Sequence, residues 1–207
     1  MAQDLEQRHE MIWHHEQVLA FELAKQLIQK PRISLWMMML PLLFIFFMQD
    51  IKRYKTGINN FANDFLKNKK TALDLAFNAV LDGTALEAAL ADFAAENRPG
   101  SADQSPLYEA QRREIACLAA HYKRLLTARG DTYEKALRNA YTSFGEFQRY
   151  LDTLFERENE VIQIALRINP PQDDARGVVQ EMQNALRRMR QGERDRVFKP
   201  VQPNPGN

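Results

Sequence analysis

Residues 33–48 read ISLWMMMLPLLFIFFM, and no charged residue occurs anywhere from Ile33 to Gln49. As a helix, these seventeen residues would extend about 25 Å, slightly less than the ~30 Å hydrocarbon layer of a bilayer. Cations close both ends of the run: Lys30, Arg32, Lys52, Arg53 and Lys55. A helix that is apolar on all sides must be buried in lipid or in protein, so this run decides how the rest of the fold is arranged.

The short length of the run leaves three structural interpretations open. A transmembrane helix would place Trp36 and Tyr54, about 27 Å apart along the axis, at the two membrane interfaces. A re-entrant hairpin would turn at Pro41, because proline lacks a backbone donor and bends helices. A central helix of a bundle would bury the run in protein instead. The flanking cations favour an inner or cytoplasmic membrane with the bulk of the chain on the cytoplasmic side, and a cytoplasmic protein is the alternative.

Membrane association implies two groups of contact residues. Apolar and aromatic side chains would face the acyl chains, and the cations after the run would face anionic headgroups, each contributing about 1 kcal/mol. The candidates for acyl-chain contact are Trp36, Met37, Leu40, Pro41, Phe44, Phe46, Phe47 and Tyr54. The candidates for headgroup contact are Lys52, Arg53 and Lys55. Membrane lipid is therefore the expected partner, and the sequence favours it over nucleic acid.

The remainder of the chain predicts an all-α helical bundle. The 207 residues are 45% hydrophobic with a net charge of +1, which is ordinary for a globular protein. No stretch shows the alternating pattern of a β-strand. We predict four segments: an amphipathic N-terminal helix over 1–32, the apolar membrane segment over 33–49, a helical bundle over 50–191, and a disordered proline-rich tail over 192–207.

The most regular apolar pattern covers residues 132–168. Apolar side chains recur there at steps of four and three residues, and Glu158 is the exception on this seam, with Arg157 and Arg167 as candidate ion-pair partners. The preceding segment has a compatible apolar spacing and ends at Gly130. The pattern predicts a long antiparallel helical hairpin over about 107–168. The helix over 133–168 is also the expected surface for a protein partner or a second copy of the chain, unless its stripe is used inside the bundle.

Catalytic chemistry has little support in the sequence. There is no glycine-rich phosphate-binding loop and no Gly-x-Ser-x-Gly turn. The single cysteine, Cys117, has apolar neighbours, which predicts an unreactive thiol even though His121 follows one helical turn later. The basic residues of 185–199 are expected to form a solvated helix end, where cations suit the helix dipole. Contact with lipid or an acidic protein is the alternative, and nucleic acid is a weaker one.

Side chains that could bind a metal concentrate in the N-terminal helix. His9 and His14 point about 140° apart on a helix, so they do not converge on one ion. A di-iron bundle site would also need a second Glu-x-x-His step on another helix, which the sequence lacks. We expect no metal, no cofactor and no catalytic residue, and a metal-dependent helical enzyme using His9, Glu10 and His14 is the weakest alternative.

Together these patterns predict a non-catalytic protein that docks or assembles at a membrane through helical surfaces. The main alternative is a soluble bundle in which the apolar helix lines a ligand pocket. In that case the flexible side chains of Met37, Met38, Met39 and Met48 would form an adaptable wall.

Overall fold

The structure is a computed structural model and describes residues 2–27, 41–98, 105–168 and 175–199. These segments contain seven α-helices and no strand, so the predicted all-α class is confirmed. The helices are α1 (Ala2–Leu27), α2 (Pro41–Leu81), α3 (Leu86–Glu96), α4 (Ser105–Thr127), α5 (Tyr133–Ala140), α6 (Phe144–Ile168) and α7 (Ala175–Phe198).

The second helix, α2, is continuous over 41 residues and about 60 Å long. The sequence placed the apolar segment over 33–49 apart from the helical bundle that begins at residue 50, and the structure continues one helix from residues 41–49 into that bundle. No proline lies between them, and Gly57 costs a helix only about 1 kcal/mol relative to alanine. Pro41 is the first residue of α2, a position where its missing N–H has no partner to lose.

The predicted membrane-contact residues lie at or before the start of α2. Among the described residues, no helix is both long and apolar enough to cross a membrane. Trp36, Met37 and Leu40 lie outside the described residues. The other candidates belong to the part of α2 where the structure describes the backbone but not the side chains: Pro41, Phe44, Phe46, Phe47, Lys52, Arg53, Tyr54 and Lys55.

The helix predicted over 132–168 is interrupted. The break lies at Tyr141, which has an extended backbone with φ −124° and ψ 129°. The hydroxyl of Ser143 accepts a hydrogen bond from the backbone N–H of Glu146 at 3.1 Å, and the Glu146 carboxylate accepts one from the N–H of Thr142 at 2.8 Å. This Ser-x-x-Glu arrangement starts a new helix. The second helix of the predicted hairpin is therefore corrected: two helices, α5 and α6, follow α4 in place of one unbroken helix.

The N-terminal helix α1 is part of the bundle core. It contacts α2, α4, α5 and α7, and it runs antiparallel to α2, since His9 lies 3.0 Å from Asp74 while Leu27 packs near Phe61. The main hydrophobic core draws on all seven of the described helices through large buried side chains. These include Ile12, Leu73, Leu86, Leu118, Tyr122, Leu125, Leu137, Phe147, Leu154 and Val197.

The last helix, α7, extends past the point where the sequence places the start of a disordered tail. That tail was predicted from Gly192, but α7 reaches Phe198, and Val197 is 5% exposed in the main core. In the solvated helix end predicted for 185–199, the basic residues Arg187, Arg188, Arg196 and Lys199 are exposed, but Arg190 and Glu193 are buried. The residues after Lys199 lie outside the described part of the chain.

Candidate functional site

A buried carboxylate lies where α1, α2 and α4 meet. Glu16 of α1 and Lys69 of α2 are only 5% and 3% exposed. The Lys69 ammonium nitrogen lies 2.9 Å from Glu16 Oε2, and the Tyr122 hydroxyl donates a hydrogen bond to Glu16 Oε1 at 2.9 Å. Three helices thus contribute an acid, a base and a hydroxyl to one buried point.

The negative charge of Glu16 persists despite its burial. Burial alone raises a carboxyl pKa, but attraction by Lys69, with His15 adding to it, lowers the pKa of Glu16 to about 2. Burial and the adjacent Glu16 charge together hold the pKa of Tyr122 well above its usual value. At neutral pH the group therefore contains a carboxylate next to a protonated phenol.

A second buried ion pair connects α6 to α7. The Arg190 guanidinium donates two hydrogen bonds to the Glu158 carboxylate, both 2.6 Å long. Burial disfavours the cation, but the attraction of Glu158 outweighs this effect and raises the pKa of Arg190. The partners expected from the sequence, Arg157 and Arg167, are not the ones used. Both lie on the same helix as Glu158, whereas Arg190 faces it across the bundle.

An aromatic cluster lies next to these ion pairs. His121 Nδ1 is 2.7 Å from the Tyr141 hydroxyl, and the His121 ring stacks on Tyr150 with centroids 4.2 Å apart. Burial lowers the pKa of His121 to about 3, so its ring is neutral at physiological pH. Across a small cavity from His121, the His15 ring lies 2.9 Å from the Glu193 carboxylate. This cavity of about 20 Å³ separates the two histidines, which is room for one water molecule.

A larger pocket of about 280 Å³ opens beside the two ion pairs, between α2, α4, α6 and α7. On its polar side, Glu114 Oε2 accepts a hydrogen bond from Asn68 at 2.9 Å, and Lys69 and Glu158 also line the wall. Burial, with repulsion from Glu158, raises the pKa of Glu114. The apolar side is formed by Phe65, Phe155, Val161, Ile162, Met182 and Leu186.

The weaker candidates from the sequence do not assemble into a site. No group of three or more His, Cys, Asp or Glu side chains is placed to hold a metal in the parts of the chain that the structure describes. His9 pairs with Asp74, while Glu10 and His14 are exposed. Burial raises the pKa of Cys117 to about 11, in agreement with the unreactive thiol predicted from the sequence.

The fold and this site define the protein as an all-α bundle built around buried ion pairs, with a mixed polar and apolar pocket at their edge. No protein-family model matches the chain, and no curated protein or solved structure is significantly similar to it. The functional argument therefore depends on the residues themselves.

Proposed function

We propose that this protein is a non-catalytic docking or assembly protein at a membrane, attached through the uncharged run 33–49. The observation that carries this proposal is the run itself, with cations at both ends. Residues 41–49 also belong to the same helix that carries Lys69 into the buried site. A membrane contact at the start of α2 would therefore orient the whole bundle.

The run 33–49 can insert in the membrane in two ways, and both place the bundle on the same side. The run inserts either as a transmembrane helix or as a re-entrant segment that turns near Pro41, with the bundle on the cytoplasmic side in both forms. A protein partner or a second copy of the chain then docks on the face of residues 133–168. Two apolar side chains of that segment are exposed and available for such a contact, Phe144 at 38% and Ile168 at 43%.

Membrane partitioning tests this proposal. We expect the wild-type protein to remain with the membranes through washes with high salt and alkaline carbonate, and the double variant Leu40→Asp, Phe44→Asp to move to the soluble fraction. Each aspartate near the bilayer centre costs about 2.5–3.5 kcal/mol. Val18→Asp, Leu81→Asp is the matched control, because both side chains are about half exposed on the bundle. Wild-type protein found only in the soluble fraction would contradict the proposal.

The pocket between α2, α4, α6 and α7 supports a second candidate function, the binding of a small amphipathic ligand. Apolar walls with a few fixed polar groups are typical of ligand sites, and its volume is close to the ~300 Å³ lower limit for such pockets. The predicted methionine wall falls outside the described side chains, and of Met48 the structure describes only the backbone. Of the methionines, Met182 lines the described pocket, whereas Met37, Met38 and Met39 lie outside the described residues.

An environment-sensitive naphthalene sulfonate dye provides a test of this second candidate. We expect the dye to bind the wild-type protein with increased fluorescence, and Ile162→Trp to remove that signal by filling the pocket. Val18→Trp adds the same side chain on the exposed side of α1 and should bind the dye normally. Equal dye binding by all three proteins would exclude this pocket as the site.

A further inference from the structure

A second concavity, about 640 Å³ in volume, lies on the outer side of α4 and α6. Four arginines line it: Arg113 and Arg124 from α4, and Arg149 and Arg157 from α6. Its α4 residues recur at helical spacing along one face, where alanines at 116 and 120 leave the space between the arginines open. We call this concavity the arginine groove.

The acids near the arginine groove do not neutralise it. Arg113 donates a hydrogen bond to Glu160 at 2.7 Å, and Arg124 donates one to Glu146 at 2.6 Å. Arg157 shares the same Glu160 at a longer 3.6 Å. The side chain of Arg149 is exposed and has no hydrogen-bond or ion-pair partner among the described residues. Four guanidinium groups against two carboxylates leave two positive charges in excess.

The floor of the arginine groove is aromatic and uncharged. Tyr141, Tyr150 and His121 line it, and the pairing of His121 with the Tyr141 hydroxyl is described above. The His121 ring carries no charge at physiological pH, because burial depresses its pKa. The positive charge of the groove therefore lies on the arginines of its rims. These guanidinium groups are the cations that a bound ligand would contact.

We propose that the arginine groove binds a phosphate monoester or pyrophosphate group, with Arg149 and Arg157 as the first contacts. A guanidinium offers a planar pair of donors that matches two phosphate oxygens, and an excess of two charges matches a phosphate dianion. Such a group occurs in soluble phosphorylated compounds and in phosphatidate headgroups. The residues that line the groove run from Arg113 to Arg157 and include none of 33–49, so the proposal does not depend on the proposed membrane attachment.

Two probes distinguish the two sources of phosphate. The full-length protein is titrated with inorganic pyrophosphate in a calorimeter at low ionic strength. In a second measurement, it is floated with phosphatidylcholine vesicles that contain or lack phosphatidic acid. Saturable pyrophosphate binding that weakens with added salt supports a soluble ligand. A phosphatidate-dependent increase in flotation, without pyrophosphate binding, supports a headgroup ligand.

Arginine variants test whether the groove is responsible. We expect Arg149→Gln, Arg157→Gln to weaken binding of the effective probe at least tenfold, and Arg149→Lys, Arg157→Lys to give a smaller loss because charge remains without the planar donor pair. Arg112→Gln, Arg188→Gln removes the same charge from the partly exposed Arg112 and the exposed Arg188, both outside the groove, and should bind normally. All of these side chains are at least partly exposed, so circular dichroism and Tm should stay unchanged.

Three results would overturn the proposal: no binding of either probe by the wild-type protein, equal binding by the groove variant, or an equal loss in the control variant. Failure of the membrane proposal would be seen separately. The variant Leu40→Asp, Phe44→Asp should still bind pyrophosphate if the groove acts on a soluble ligand. Its pyrophosphate affinity therefore reports on the groove regardless of where the protein is found.

Discussion

At the residue scale, the most costly feature of this bundle is the burial of two opposite charges, Glu16 and Lys69. Removing each ion from water costs several kcal/mol, which is recovered only because the partners are in contact and Tyr122 adds a hydrogen bond. Each charged residue lies four positions, about one helical turn, from a buried apolar residue on the same helix face: Glu16 from Ile12, and Lys69 from Leu73. A charge on a buried stripe is the sequence signal that could have indicated this site, but it does not identify the partner.

Removing one partner of this pair should cost more than removing both. We expect Glu16→Gln to lower the free energy of unfolding by about 3–5 kcal/mol, because it leaves the Lys69 ammonium buried without its counter-ion. Adding Lys69→Met should restore most of that loss. Tyr122→Phe, which deletes a hydroxyl only, should cost about 1–3 kcal/mol. Denaturant unfolding gives the free energy of unfolding of the wild type and the three variants. A double variant no more stable than Glu16→Gln would contradict an energetic coupling between Glu16 and Lys69.

The stability of the protein should depend on pH through His121. Its pKa is about 3 in the folded protein and near 6.5 when unfolded, so the unfolded chain binds more protons between these values. The contribution of His121 is complete above about pH 6.5 and decreases by about 1.4 kcal/mol per pH unit as the pH falls toward 3. His121→Gln should flatten the stability profile between pH 6.5 and 4.5. Below that range the depressed pKa of Glu16 adds a loss of its own.

At the element scale, the spacing of apolar residues predicted which side chains are buried better than it predicted where the helices begin and end. The seam from 133 to 168 correctly included Leu137, Phe147 and Leu154, which are buried. It missed the break at Tyr141, because a capping interaction is local and does not disturb the spacing of apolar residues. The N-cap of α5 is likewise Thr132, which accepts a hydrogen bond from the backbone N–H of Lys135.

Two glycines next to helix starts should respond in opposite ways to alanine. At Gly130, with φ +154°, a Cβ atom would lie 2.5 Å from the backbone nitrogen of Ala136, so Gly130→Ala should destabilise the fold by about 1–3 kcal/mol. Gly145 lies in the first turn of α6 with no atom within 4 Å of an added Cβ. Gly145→Ala should therefore raise the free energy of unfolding by about 0.5–1 kcal/mol. Thermal unfolding of the two variants compares them directly, and a neutral Gly130→Ala would contradict the close approach.

At the scale of the whole molecule, the two ends of the described chain pack on each other. His15 of α1 pairs with Glu193 of α7, and Val197 belongs to the same core as Ile12. The sequence placed both ends outside the central bundle: residues 1–32 because the apolar segment over 33–49 separates them from it, and residues 192–207 because they are charged and then proline-rich. Packing between such distant segments depends on pairs such as His15 with Glu193, which no local pattern specifies.

Truncation at the C-terminus tests the packing of α7 against α1 and the core. Deletion of 192–207 removes Glu193 and Val197 together with the hydrogen bond from Arg138 to the Val197 carbonyl oxygen. We expect it to lower the free energy of unfolding by at least about 2 kcal/mol, since a buried valine alone contributes about 1.5–3 kcal/mol. Deletion of 200–207 is the control and should change stability by less than about 0.5 kcal/mol. Equal stability of both truncated proteins would mean that the end of α7 adds nothing to the core.

The length of α2 also has a mechanical consequence. A continuous helix of about 60 Å behaves as a stiff lever, so a tilt of about 10° displaces one end by about 10 Å relative to the other. The fulcrum would be the stretch held against α1, where Lys69 is in contact with Glu16. A load applied at Pro41 would therefore act first on the apolar contacts of Ala62 and Leu66, and one turn later on a buried pair of opposite charges.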